Sequence, residues 1–325
     1  MTGRTAAVVP AHDGRAWLPG CLRALSGQEG ARFDVVVVVD DASRDGTADW
    51  VAEAHPSVLL VRRAVRGGFA RAANAGLRAA AAAGCAHAAL VNSDVELDPG
   101  WLACARAELA PERAAVATKM VALADPGVLD DCGDVLRRDG VCEQRGRGRR
   151  DSGQLDLPGE VWGACAGAAL YRLEPVLALG GFDELYGQYL EDADLALRLR
   201  LAGWRCGYAP AVARHAGGGS AAALPAPVRY WTARNTVLLV ATWFPAAWWR
   251  PVAYRQLAWL AAAARTGALG PHLRGVRDGL LAARRLGRLR GRARRRAAWP
   301  VPIEAAVPDR PWRGPRAGGH ARSPV

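Results

Sequence analysis

Five consecutive valines, Val35 to Val39, stand between Asp34 and the acid pair Asp40-Asp41. A strand with apolar side chains at every position has no wet face, so it must be covered on both sides. The rest of the first 120 residues supplies the cover. Ala6–Pro10, Val58–Val61 and Ala88–Val91 are further short apolar runs. Between them lie helical patterns through Leu18, Leu22 and Leu25, through Trp50 and Val51, and along the alanine-rich stretch Gly68–Ala83. Pro99 opens another helix from a first-turn position. Strands alternating with helices predict an α/β fold with a doubly wound, mostly parallel sheet.

In such sheets ligands sit beyond the carboxyl ends of the strands. That rule selects Pro10–Asp13, Asp40–Ser43 and Asn92–Asp94. For Ser43 and Asp45, capping the next helix and touching a ligand are both open readings. Two adjacent carboxylates at Asp40-Asp41 exceed what a cap requires. Further along, Asp125–Arg150 is polar, glycine-rich and ends in a run of arginines, which predicts a hairpin-like insertion with a mobile basic loop. Trp162–Tyr171 is expected to be a strand of small residues. Glu191–Ala202 is expected to be a helix ended by Gly203.

Composition excludes several classes. The 325 residues are 51% hydrophobic and 23% charged, which is ordinary globular material. The net charge of +12 suggests nucleic acid until it is located. Residues 1–264 hold 28 basic and 28 acidic side chains, whereas residues 265–325 hold 15 arginines against Asp278, Glu304 and Asp309. The excess therefore belongs to the tail, a candidate contact for an anionic surface. An arginine-tail nucleic-acid binder is the weaker alternative, because the main domain has no basic face with interleaved aromatics. Seven scattered cysteines without C-x-x-C spacing predict reduced thiols and neither a zinc site nor a disulfide framework. Met1–Pro10 has no signal-peptide core, and the apolar Thr236–Trp249 stretch is too short and too broken by Pro245 to span a bilayer. A cytoplasmic protein is expected, with peripheral docking on the inner face of the plasma membrane through the arginine-studded helix Leu273–Arg296 as a further expectation.

No phosphate-binding Walker loop, G-x-S-x-G elbow or H-E-x-x-H is present. What the chain offers is a series of carboxylates at loop ends and one late histidine. In order, Val37-Val38-Val39-Asp40-Asp41-Ala42-Ser43-Arg44-Asp45-Gly46-Thr47, Gly68–Gly76 and Leu90-Val91-Asn92-Ser93-Asp94 resemble three successive blocks of family 2 glycosyltransferases with a GT-A fold. Gly180–Glu184, Tyr189–Leu195, His215 and Arg234-Asn235 resemble the later blocks of that family's rhamnosyltransferase-like branch. The resemblance runs from about residue 5 to 240. It implies a GT-A domain over residues 1–224, and the sequence pattern beyond it predicts a helical extension over 225–298 and a disordered Pro/Gly/Arg-rich tail over 299–325.

The resemblance also implies a chemistry. An inverting transferase would move a sugar from a nucleotide donor (dTDP-, UDP- or GDP-linked) to a glycan or lipid-linked acceptor, in bacterial cell-wall or polysaccharide assembly. A divalent cation, Mg²⁺ or Mn²⁺, would stabilise the diphosphate leaving group, held by Asp94 and His215. Asp94 as a helix cap and His215 as a core or surface histidine are the plain alternatives. Asp192 would be the base that takes the acceptor proton, with Glu191 the second candidate. Pro10, His12, Asp40, Asp41, Arg71, Asn74 and Asn92 would surround the nucleotide sugar, Asn74 more through the fold than by contact, with a surface imidazole at His12 and a solvated side chain at Arg71 as equal alternatives. Asn92 departs from the family pattern, standing where an acid begins the D-x-D motif. A nucleotide-sugar-binding protein without turnover is therefore the alternative function. A flexible stretch at Gly217–Gly219 would let a lid close over the donor.

Overall fold

The computed structural model describes residues 3–217, 226–294 and 299–309. The first half alternates strand and helix: β1 (Thr5–Ala11), α1 (Leu18–Ser26), β2 (Val35–Asp40), α2 (Thr47–Ala54), β3 (Leu59–Arg62), α3 (Phe69–Ala82) and β4 (His87–Val91). Then come β5 (Val95–Leu97), α4 (Trp101–Ala107), β6 (Arg113–Ala122), β7 (Leu129–Asp131), β8 (Asp134–Leu136), β9 (Cys142–Gln144), β10 (Gly159–Val161) and β11 (Ala168–Arg172). The chain continues through α5 (Leu173–Ala178), α6 (Glu191–Leu201) and β12 (Arg205–His215) to the helices α7 (Ala226–Trp243), α8 (Trp249–Arg265), α9 (Leu269–Arg294) and α10 (Ile303–Ala306).

The main sheet has the order β10-β12-β6-β11-β4-β1-β2-β3, with β5 added beside β12 and β7 beside β6. β4, β1, β2 and β3 are parallel, while β11 runs antiparallel between β4 and β6. The valine run is covered on both faces as its composition demands. Val37 and Val39 enter one core with α3, and Val38 enters the other with α1 and α2. All three are fully buried, each a gain of about 1.5–3 kcal/mol over exposure. α3 lies so close to the sheet that a Cβ on Gly76 would fall 2.3 Å from Val8. Only glycine lets this helix approach.

Three segments differ from the sequence expectation. Trp162–Tyr171 is not one strand: β10 ends at Val161 and β11 begins at Ala168, with a close-packed turn between them. A Cβ on Gly163 would press on Ala196 at 2.8 Å, so the turn is shaped by packing against α6. Asp125–Arg150 does contain a hairpin, β8–β9, but its basic loop is anchored. Arg145 lies over the Tyr208 ring and donates to the Cys132 carbonyl, and Arg150 pairs with Asp125. Trp299–Asp309, expected to be disordered, packs on the protein. The Ala306 carbonyl accepts the Trp162 indole N–H at 2.7 Å, and Ala306 and Val307 join a third core cluster with α6 and α7. Proline-rich composition concealed a short apolar anchor, Val301, Ile303, Ala306 and Val307. Residues 310–325 and the expected lid glycines Gly218 and Gly219 lie outside the described residues.

All seven cysteines are unpaired. Among the described residues no helix is long and apolar enough to cross a membrane.

Candidate active site

The loops after β1 and β4, with Phe69 at the start of α3, border a cavity of about 330 Å³ lined by Pro10, His12, Trp17, Asn92, Ser93 and Asp94, and the loop after β2 lies against the first of them. Two of these loops are sewn together. Asp13 donates its N–H to Ser43 Oγ at 2.9 Å, Arg44 N–H returns to Asp13 Oδ1 at 2.7 Å, and Arg15 N–H reaches Asp45 Oδ2 at 2.9 Å. Asp13 and Ala42 adopt left-handed backbone (φ 50° and 59°), a strained choice held by these bonds. Ser43 and Asp45 thus serve as cross-links between loops.

Asp40 and Asp41 have separate tasks. The Asp41 carboxylate is buried and accepts the backbone N–H groups of Gly67 (2.9 Å) and Gly68 (2.7 Å), with Arg63 Nε 3.4 Å away. It supports the turn into α3. Asp40 accepts a 3.3 Å bond from Ser43 N–H, while its buried Oδ1 has no partner. A carboxylate oxygen left buried and unsatisfied is costly, so a ligand donor would relieve it. The His12 Nδ1 sits 2.9 Å from the Asp41 carbonyl, which places its proton on Nδ1.

Two expected donor-side residues face elsewhere. Asn74 donates to the Phe182 carbonyl and accepts the Phe182 N–H, both at 2.8 Å, which uses both ends of its amide. A Cβ on Gly181, itself at φ 71°, would strike Asn74 Oδ1 at 2.3 Å. The exposed Arg71 pairs with Glu184 at 3.1 Å. Both side chains hold the segment before α6 against α3.

Asp94 and His215 meet because β5 and β12 pair antiparallel with Val95 opposite His215. His215 Nε2 stands 3.2 Å from Asp94 Oδ2, and Nδ1 stands 2.8 Å from Asp130 Oδ2. Asp130 comes from β7, which the pairing β7–β6–β12 carries to the same place. Burial works against charge on His215, but the hydrogen bonds with Asp130 and Asp94 outweigh it and lift its pKa to about 9. Among the described residues no group of three or more His, Cys, Asp or Glu side chains forms a complete metal cage. The pair nonetheless suits one. Neighbouring ligands on an octahedral ion with bonds of about 2.1 Å lie roughly 3 Å apart, close to the Asp94–His215 separation. A histidine whose other nitrogen bonds a carboxylate is the usual metal-ligating arrangement.

The second acidic group lies at the start of α6. Asp192 accepts N–H bonds from Ala193 (2.8 Å) and Ala166 (3.3 Å). Glu191 is buried, and its Oε2 has no partner. Two buried acids that the sequence reading did not single out, Asp131 and Asp134, complete the group. Burial pushes Asp131 up to about 7, against a short bond from Gly133 N–H, with the charges of Asp130 and Asp192 adding to the rise. Burial, then the charges of Asp131 and Asp192, raise Asp134 well above the usual range, and burial and Asp192 do the same to Glu191. Burial raises Asp192 as well, but its backbone N–H partners pull it down. Asp192 accepts two backbone N–H bonds, which favour its charged form. Asp194 is excluded from this set. It pairs with Arg198 at 2.7 Å and accepts the Trp243 indole at 2.8 Å, which fixes α7 on α6.

The match to known proteins decides the family. Residues 6–179, more than half the chain, fit the model of glycosyl transferase family 2. The chain belongs to that family. The uncharacterised protein MT1568 of Mycobacterium tuberculosis is 30% identical over 287 residues, covering 82% of this family 2 chain and 85% of the relative. Among solved structures, GalNAc-T7 with UDP, GalNAc and Mn²⁺ superposes with a TM-score of 0.59 at 15% identity, over 75% of this chain and 48% of that one. The present chain thus spans about half of GalNAc-T7. The mannosyltransferase PcManGT of Pyrobaculum calidifontis, with GDP-Man and Mn²⁺, gives 0.54 at 22% identity over 88% and 87% of the two chains. S. aureus TarS 1-349 with UDP-GlcNAc gives 0.55 at 18% identity over 86% and 81%. These likenesses are of fold, and the fold is GT-A.

The segment before α6 in this glycosyltransferase is under tension. Tyr189 and Leu190 both have φ 66°. A single Asn235 amide nitrogen lies within hydrogen-bond reach of three carbonyls that hold the segment, those of Tyr186 (3.0 Å), Gln188 (2.8 Å) and Tyr189 (2.7 Å). Asp130, Asp131 and Asp134 carried only a polar, hairpin-like signal in sequence. The late R-N pair was visible, but its structural task was not.

Proposed function

We propose that this family 2 glycosyltransferase moves a sugar from a nucleotide donor to a hydroxyl of a glycan or lipid-linked acceptor, with inversion, in bacterial cell-wall or polysaccharide assembly at the cytoplasmic face of the membrane. One observation supports this reading above the rest: two consecutive residues join the two acidic groups. Ala166 N–H bonds Asp192, and the next carbonyl, Gly167, accepts the N–H of Asn92 at 2.9 Å. The base candidate and the donor cavity are thus braced by one dipeptide.

Asp94 and His215 would hold a divalent cation, Mg²⁺ or Mn²⁺, which when bound supplies Lewis-acid stabilisation of the leaving diphosphate. Asp40, with its unpartnered oxygen, would hydrogen-bond the nucleoside, and His12 and Pro10 of the neighbouring loop would line the cavity beside it. Asn92 borders the sugar and phosphates through a neutral amide. Asp192 would take the acceptor hydroxyl proton as the oxygen bonds to the anomeric carbon and the bond to phosphate breaks on the opposite face. One displacement with one base inverts the centre. Solved neighbours that hold UDP, UDP-GlcNAc or GDP-Man, two of them with Mn²⁺, agree with a nucleotide-sugar donor. The resemblance to the rhamnosyltransferase-like branch puts dTDP-rhamnose first in the donor panel.

The test is release of nucleoside diphosphate from dTDP-, UDP- and GDP-sugars with Mn²⁺, with Mg²⁺ and with EDTA. The expected result is cation-dependent release from one donor, lost in Asp94→Ala. Binding of a donor with no release under any condition, with or without glycan acceptors, would favour the silent binding protein. Absence of binding to every donor would overturn the reading.

A further inference from the structure

The helices beyond the GT-A sheet carry a surface that sugar transfer does not use. Along α8, Trp249, Val252, Ala253, Gln256, Leu257 and Leu260 recur every three or four residues and form one stripe. Such a stripe ordinarily packs into a core. Here, of the seventeen residues of α8 only Ala263 is buried. The stripe lines an open groove of about 460 Å³, with α7 and α9 as its other walls. Seven of the twelve large apolar side chains exposed among the described residues fall between Trp249 and Leu281. A soluble surface seldom gathers so many in one place without a partner.

The partner's chemistry can be read from what borders the groove. Exposed leucines and arginines interleave on α9: Leu273, Arg274, Arg277, Leu280, Leu281, Arg284 and Arg285. From Arg265 to Arg296 the sequence holds eleven arginines and one acid, Asp278, which pairs with Arg277. A second copy of the chain would bring this positive charge against itself. Within the groove, Gln256 has a buried amide whose nitrogen and oxygen both lack partners. An amide in an apolar channel suits a chain with an ester near its head better than a bare hydrocarbon.

We propose that α7, α8 and α9 form a docking surface for an anionic glycerophospholipid bilayer, with an acyl chain in the groove, its ester at Gln256 and the α9 arginines on the phosphates. The helices lie in the interface and do not cross it. This deepens the proposed transfer by holding the site at the membrane, where a lipid-linked acceptor would present its sugar. α7 carries Asn235, the clamp on the segment before Asp192, so one of the docked helices holds the segment that leads into the base.

Vesicle flotation of the full-length protein tests the assignment. Vesicles of phosphatidylcholine should leave it in solution, and vesicles with about one-third phosphatidylglycerol should carry it up, less so in about 0.5 M salt. Leu257→Glu and, separately, Arg284→Gln with Arg285→Gln alter exposed side chains. Each should reduce the bound fraction by about tenfold or more, with nucleotide binding unchanged as the control for folding. Equal binding to neutral vesicles, or wild-type binding by Leu257→Glu, would overturn the proposal. So would a dimer in solution that Leu257→Glu disperses, or binding only to vesicles doped with a polyprenyl phosphate. Flotation does not require turnover, so failure of every sugar donor would leave this result readable by itself.

Discussion

The donor-side loops and the pocket at the start of α6 are both built from carboxylates, and they treat them in opposite ways. Around the donor cavity three acids meet backbone N–H groups: Asp13 holds Arg44, Asp41 holds Gly67 and Gly68, and Asp45 holds Arg15 and Thr47. These acids are girders between loops, and the proposed contacts with the donor fall to Asp40, Asn92 and Asp94. Behind α6, Asp131, Asp134, Glu191 and Asp192 crowd together with too few donors, and burial raises all four. The same residue type braces a loop where N–H groups match its oxygens, and stores protons where they do not.

Breaking the second region should have the largest effect. Asp192→Asn keeps the bonding shape but cannot take a proton, so turnover should fall by about 10²–10⁴-fold. A fall in kcat with an unchanged KM for donor would place the loss in chemistry, whereas a rise in KM alone would make Asp192 a binding residue. Next comes the brace behind His215. Asp130→Asn should weaken Mn²⁺ binding by about 10–100-fold. Because His215 without metal is protonated up to about pH 9, wild-type Mn²⁺ affinity should rise with pH toward that value, and Asp130→Asn should lower the pH at which the rise ends.

The pocket's stored protons predict a stability profile. Asp131 has a folded pKa of about 7, above its unfolded value, so the native state binds the extra proton between the two. Stability should therefore decline as pH rises from the ordinary carboxylate range through about 7. Thermal melts of Asp131→Asn should show a flatter profile over that window; an unchanged slope would remove Asp131 from the pocket's titration. The smallest effect is expected at the clamp. Asn235→Ala leaves the Tyr186, Gln188 and Tyr189 carbonyls short of a donor, a loss of about 1–3 kcal/mol in denaturant unfolding.

The two regions also differed in how far they could be read from sequence. The donor side was legible because Val37–Val39 and the adjacent β1 are buried on both faces, and the loops follow directly from the strand ends. Asp40, Asp41 and Asp94 stood where the sheet rule puts them, though only geometry separated the girder Asp41 from Asp40. The acid pocket depends on long-range register. Asp130 reaches His215 only through the pairing of β7 with β6 and β6 with β12, and no local pattern encodes that. Asn74 and Arg71 illustrate the converse, since residues beside the donor loops in sequence turned out to hold the segment before α6. At the C-terminal end, proline and arginine masked the apolar anchor Val301–Val307.

In the proposed mechanism donor capture and proton removal are separate: Asp94 with His215 would serve the first, Asp192 the second. Calorimetric titration of Mn²⁺ with nucleoside diphosphate into wild type, Asp94→Ala and Asp192→Asn measures this in one experiment. Asp192→Asn should bind as wild type does, and Asp94→Ala should lose the cation-dependent part. Full cation-linked binding by Asp94→Ala, or its loss in Asp192→Asn, would contradict that separation.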